Sequence, residues 1–143
     1  MKTLTIKQPW ASLIIEGGKD IENRTRRTHV RGWVLVHTGL RMDPPGMVLD
    51  FCEDFGVLDA SAEAARMARD VLLRASHACG GIIGAMHISD CVEDSDSPWF
   101  CGPFGYVIDK VIPLPFVACR GHLGWFDFEL PEHAAKVFRE ATA

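Results

Sequence analysis

The chain lacks the apolar run of roughly 18 residues that a membrane-spanning helix needs. Its opening segment, Met1-Lys2-Thr3-Leu4-Thr5-Ile6-Lys7, is too short and too polar for a signal peptide. A cytoplasmic protein with no membrane association is expected. The five cysteines, at 52, 79, 91, 101 and 119, include no CxxC pair. Their odd number and wide spacing exclude a disulfide framework or a zinc ribbon. Free thiols in a reducing compartment are expected, although Cys91 and Cys101 flank a loop and could bridge. The histidines form no HxH or HxxxH pattern, and His87 and Cys91, four apart, fall on a predicted strand, so no metal site is expected. Phosphate-loop, dinucleotide, HExxH and GxSxG motifs are also absent, and no cofactor is implied. Repeats, low-complexity tracts and linkers are missing too.

What is present is an ordinary globular composition with an uneven charge. The 143 residues are 48% hydrophobic and 24% charged, with a net charge of −4. This length suits one domain, 1–143, large enough for a core of its own. Residues 1–41 hold eight Lys/Arg and three Asp/Glu, whereas residues 42–143 hold seven and sixteen. An acidic body with a basic end argues against indiscriminate coating of nucleic acid. It suits a defined anionic ligand instead.

Periodicity outlines the elements. Thr3–Lys7 alternates as a half-buried strand. Pro9 opens a helix carrying Trp10, Leu13 and Ile14, and Gly17-Gly18 stops it. Residues 19–24 read as a short strand, 25–31 as an exposed basic loop, and Gly32–His37 as a buried strand. Asp43-Pro44-Pro45-Gly46 breaks the pattern, with a short helix over Met47–Phe55. Asp59 or Ser61 can cap the next helix, where Ala64, Met67, Ala68, Val71, Leu72 and Ala75 share one face. Strands follow over 82–92, 104–112 and 123–130. Pro113 and Pro115 suit a sheet edge or corner, and Pro131 opens a terminal helix. Helices fall mainly in the first half and do not alternate with strands. The fold class expected is therefore α+β, a small, mostly antiparallel β-barrel with helices packed outside, and a helical insert at about 43–78.

The polar residues of the basic end define the candidate site. Lys19 after two glycines is either a solvated cation near a helix end or a ligand-contacting charge. Glu22 beside it favours the ammonium over a free amine. Glu22, Arg24 and Asp20 share one strand face, as a surface ion pair or as a cleft in which Arg24 grips phosphate and Glu22 accepts from an exocyclic amine. Trp10 is a core residue or a stacking surface for a base, and Gln8 a helix cap or a reader of a base edge. Arg26, Arg27 and His29 belong to the basic loop, and Arg31 beside Gly32 is structural or phosphate-directed. His37 is a satisfied core residue or a proton carrier in the same cleft. Trp99 and Phe100 read as exposed loop aromatics or as packing over a barrel mouth.

Ile6-Lys7-Gln8-Pro9-Trp10-Ala11-Ser12-Leu13-Ile14, Gly18-Lys19-Asp20-Ile21-Glu22-Asn23-Arg24 and Arg31-Gly32 together resemble the signature of the ASCH domain, a PUA-like β-barrel module. Gly81-Ile82-Ile83-Gly84, Trp99, Gly105 and Gly121-His122-Leu123-Gly124-Trp125-Phe126 resemble its later parts. The resemblance implies a cleft beside the first helix and an RNA, nucleotide or nucleoside ligand, with Gln8, Trp10, Lys19, Glu22, Arg24, Arg31 and His37 as candidate contacts. One bacterial branch of the family is a 4-acetylcytidine amidohydrolase using a lysine, a threonine three residues later and a distant glutamate. Lys19 matches that lysine, but Glu22 stands in the threonine's place. Three readings follow: an RNA- or nucleotide-binding module; a hydrolase of a nucleoside amide or single-stranded RNA with Lys19 and Glu22 catalytic; and a protein-interaction role through Trp99, Phe100 and the helix at 61–76, with no partner identified.

Overall fold

A computed structural model describes residues 1–54, 56, 62–75 and 78–143, with side chains at 62–65 and 67–68 left out. In chain order the elements are β1 (Lys2–Gln8), α1 (Trp10–Glu16), β2 (Ile21–Arg24), β3 (Gly32–Met42), α2 (Pro45–Asp54), α3 (Ala62–Ala75), β4 (Gly81–Val92), β5 (Phe104–Ala118), β6 (Trp125–Asp127) and α4 (Glu132–Thr142). The strands form one mixed sheet ordered β2-β5-β4-β3-β1-β6. β1 runs parallel to β3, and every other neighbouring pair is antiparallel.

The expected barrel does not close. β2 and β6 are the two edges and share no ladder. Both are too short to complete a ring: β2 pairs four residues with β5, and β6 covers only Lys2–Leu4 of β1. One residue further along β1, the Thr5 carbonyl accepts a hydrogen bond from Arg24 Nη2 of β2 at 2.8 Å. The sheet therefore curls until its β2 edge meets β1, and a side chain spans the seam where a closed barrel would have a ladder.

Helix α1 lies inside this curl. Ala11 to Ile15 are all buried. Ala11, Ile14 and Ile15 pack against Leu4, Ile6, Val34, Val36, Met86 and Ile88 of the strands. Leu13 on the other side meets Val48 and Cys52 of α2, Val71 and Leu72 of α3, and Trp99. Burial of each such aliphatic side chain contributes about 1.5–3 kcal/mol. A third cluster, with Leu35, Ile82 and Ile112, packs against Val137 and Phe138 of α4 on the opposite face. The close approach of α1 to β4 requires Gly84, where a Cβ would lie 2.6 Å from Ile15 Cδ1.

Three expectations about elements change. β5 continues through Pro113 and Pro115 to Ala118, because β2 flanks only its first residues and the prolines meet no partner on that side. The strand expected over 123–130 contracts to Trp125–Asp127. Trp99 is buried among Leu13, Ile21 and Val48 and is no exposed contact. Val71, Leu72 and Ala75 of α3 are buried as the periodicity requires. The caps expected at Asp59 or Ser61 lie outside the described residues, as does the end of the helix expected at Phe55.

Candidate functional site

Gly17 and Gly18 end α1 and turn the chain, Gly18 with φ +75°. The turn brings Lys19 back under α1, where its backbone N–H donates to the Leu13 carbonyl at 3.0 Å. The side chain is buried, only 3% exposed. Its Nζ donates to the Ile21 carbonyl and to Glu22 Oε2 at 3.0 Å. The other carboxylate oxygen, Oε1, accepts from Arg24 Nε at 3.2 Å. Arg24 then reaches the Thr5 carbonyl. A continuous chain of charge-assisted bonds thus runs from the turn after α1, through β2, to β1.

This network floors a cavity of about 230 Å³ lined by Trp10, Lys19, Glu22, Asn23, Phe51 and Cys101. Trp10 and Phe51 meet edge to face, 5.2 Å between centroids, and Phe51 stacks on Trp99 behind. Trp10 Nε1 donates to Asp43 Oδ2 at 2.7 Å, which fixes the indole. The Lys19 ammonium lies 6.0 Å from the Trp10 ring centre. An ammonium has three N–H donors and a carboxylate about four acceptor positions. By that count one Lys19 N–H and one lone pair on each Glu22 oxygen are uncommitted.

The side wall comes from a turn that Asn23 holds. Its Oδ1 accepts from the backbone N–H of Cys101 at 2.9 Å and of Gly102 at 3.1 Å, and its Nδ2 donates to the Trp99 carbonyl at 2.9 Å. The exposed Cys101 thiol is thereby set at the cavity mouth. Desolvation pushes this thiol above its ordinary range, Lys19 pulls it down, and Glu22 raises it. Cys91 is buried, and all five cysteines are free, with no Cys91–Cys101 bridge.

Trp10, Lys19 and Glu22 therefore share one cavity, with Arg24 bracing Glu22 from behind. The other candidates lie elsewhere. Gln8 is fully buried and closes the first turn of α1, accepting from Ser12 N at 3.0 Å and donating to Ser12 Oγ and the Ala78 carbonyl. Arg31 is spent on the Thr28 and Val30 carbonyls and on Asp90. His37 is buried across β1, its Nε2 donating to the Cys119 carbonyl at 2.9 Å and its Nδ1 against Thr5 Oγ1 at 3.1 Å. Asp20 precedes β2 and accepts from Ser97 Oγ instead of joining Glu22. Sequence reading missed Asn23, Phe51 and Cys101 as lining residues. Asn23 stood inside the quoted motif, but Phe51 and Cys101 reach the cavity only through tertiary packing.

Among the described residues no group of three or more His, Cys, Asp or Glu is arranged to hold a metal ion, and no helix is long and apolar enough to cross a membrane.

Two outcomes follow from this geometry. Glu22→Ala leaves a buried ammonium without its counterion and is expected to cost about 3–5 kcal/mol in urea unfolding. Lys19→Met should cost less, because Glu22 keeps Arg24. Equal effects would contradict the network. Iodoacetamide should alkylate Cys101 slowly at neutral pH and faster as pH rises past the ordinary thiol range, read by mass spectrometry. A rate already at its plateau near neutral pH would contradict the raised thiol.

No curated protein matches the chain in sequence. The family model described as ASCH domain matches residues 4–100, a span from β1 through β4 to Phe100 that contains Lys19, Asn23 and Phe51. The chain belongs to the ASCH domain family.

Proposed function

We propose that this protein binds single-stranded RNA or a nucleotide by admitting one amine-bearing base to the cavity beside α1. The observation that carries the reading is the pairing, on one cavity floor, of a spare Lys19 N–H with an immobilised Glu22 carboxylate, under the Trp10 and Phe51 rings. Donor beside acceptor is the complement of a cytosine edge, where an exocyclic amine sits next to a ring nitrogen. Carboxylates accept from that amine. Aromatic rings supply a sequence-tolerant stacking surface. The volume, about 230 Å³, falls below the roughly 300–1,000 Å³ of pockets that swallow a whole small ligand. One base fits this description better than a complete nucleotide.

The hydrolytic alternative is less well supported. It needs a free amine on Lys19, whose Nζ faces the Ile21 carbonyl and Glu22. The position expected to hold a nucleophilic hydroxyl is Glu22, which here serves as an acceptor braced by Arg24.

Calorimetric titration with cytidine and uridine monophosphates tests the proposal. Uridine presents a carbonyl to Glu22 where cytidine presents an amine, so cytidine monophosphate should bind more tightly by about 1–3 kcal/mol, roughly 5- to 150-fold. Trp10→Ala should lose a similar amount. Cytidine monophosphate should also slow Cys101 alkylation. Equal affinity for both nucleotides, or indifference to Trp10→Ala, would remove the assignment.

A further inference from the structure

A second, larger concavity of about 630 Å³ lies between the ends of β1 and β3 and the segment 119–123. Its rim carries Lys7, Arg41, Arg120 and His122, and no carboxylate lines it. In a chain of net charge −4 this is a local concentration of cationic side chains. Lys7 has Asp43 at 3.5 Å, but neither Arg41 nor Arg120 has a hydrogen-bond or ion-pair partner among the described residues. The same walls hold two leucines, Leu40 and Leu123, that are 85% and 101% exposed. The floor is rigid. His37 is fastened to Thr5 and Cys119, and the backbone of Gly121 runs so close over it that a Cβ would lie 2.6 Å from His37 Cε1.

We propose that this groove carries the phosphodiester backbone of single-stranded RNA whose base occupies the Trp10 cavity. The inference rests on that reading of the cavity and extends it from a nucleotide to a strand. Two free guanidinium forks suit phosphate oxygens, which they grip in pairs. The exposed leucines offer apolar surface to ribose and base faces, which a site for a bare anion would not need. Continuity is supplied by Asp43. One of its oxygens holds Lys7 on the groove rim and the other holds Trp10 on the cavity wall, so a single side chain links the linings of the two.

The test uses the full chain with a short oligocytidylate, an abasic strand of equal length, cytidine monophosphate and an acidic peptide of equal charge. Each single-strand phosphate contact contributes about 0.7 to the slope of log K against log salt. Arg41→Gln and Arg120→Gln should each lower that slope by about 0.7 for the oligocytidylate and for the abasic strand, and leave cytidine monophosphate affinity unchanged. Both residues are exposed, and unchanged thermal unfolding verifies that the variants are folded. An unchanged slope, an abasic strand that the wild type fails to bind, or equal affinity for the acidic peptide would overturn the groove assignment. Loss of nucleotide discrimination with the abasic slopes intact would overturn only the cavity reading.

Discussion

Lys19 and Glu22 are charged groups held away from water, and moving such ions into a protein interior costs several kcal/mol each. Coulombic attraction offsets that cost only when the remaining donors and acceptors are also engaged. Here most of them are: the Ile21 carbonyl and Arg24, both on β2, meet Lys19 and Glu22, and Arg24 goes on to the Thr5 carbonyl of β1. The network contributes little to net stability and a great deal to position. It draws the β2 edge of an open sheet against β1, with Arg24 serving as the crosslink. It also holds the Glu22 carboxylate still, which a solvated glutamate on a short edge strand would not be.

A fixed carboxylate and a partly satisfied ammonium are useful only if something shields them from bulk water and something meets them. α1 and α2 supply the shield, through Trp10 and Phe51. Asn23 supplies the third wall by holding the Trp99–Gly102 turn. The two concavities share no lining residue, and Asp43 touches a residue of each. In the proposed reading base recognition and backbone recognition occupy separate concavities. Selectivity then resides in Glu22 and Lys19, and salt dependence in Arg41 and Arg120.

Much of the scaffold was legible in the sequence because its signals are local. The glycines at 17 and 18, the apolar run at 33–36 and the helical spacing of Val71, Leu72 and Ala75 each report on near neighbours. The Lys19–Glu22 pair was legible for the same reason, being three residues apart. Features that depend on distant packing were not. The strand expected to end at 112 runs on through Pro113 and Pro115, which suited a sheet edge or corner, since nothing local reveals that β2 stops short beside them. Trp99 read equally as an exposed loop aromatic or as packing, and only Leu13, Val48 and Val71 around it decide for packing. His37 was grouped with Lys19 by proximity in sequence, but its side chain faces the groove and not the cavity. Phe51 and Cys101 reach the site from a helix and a turn that follow it by dozens of residues.

Base recognition in this protein would depend on the Glu22 carboxylate held at the floor of an aromatic cleft. A crystal structure with a bound cytidine-containing oligonucleotide examines this directly. The expected result is a cytosine in the cavity lined by Trp10 and Phe51, its exocyclic amine within hydrogen-bonding distance of Glu22 and its ring nitrogen facing Lys19 Nζ. A base bound elsewhere, with the Lys19–Glu22–Arg24 network unvisited, would contradict it.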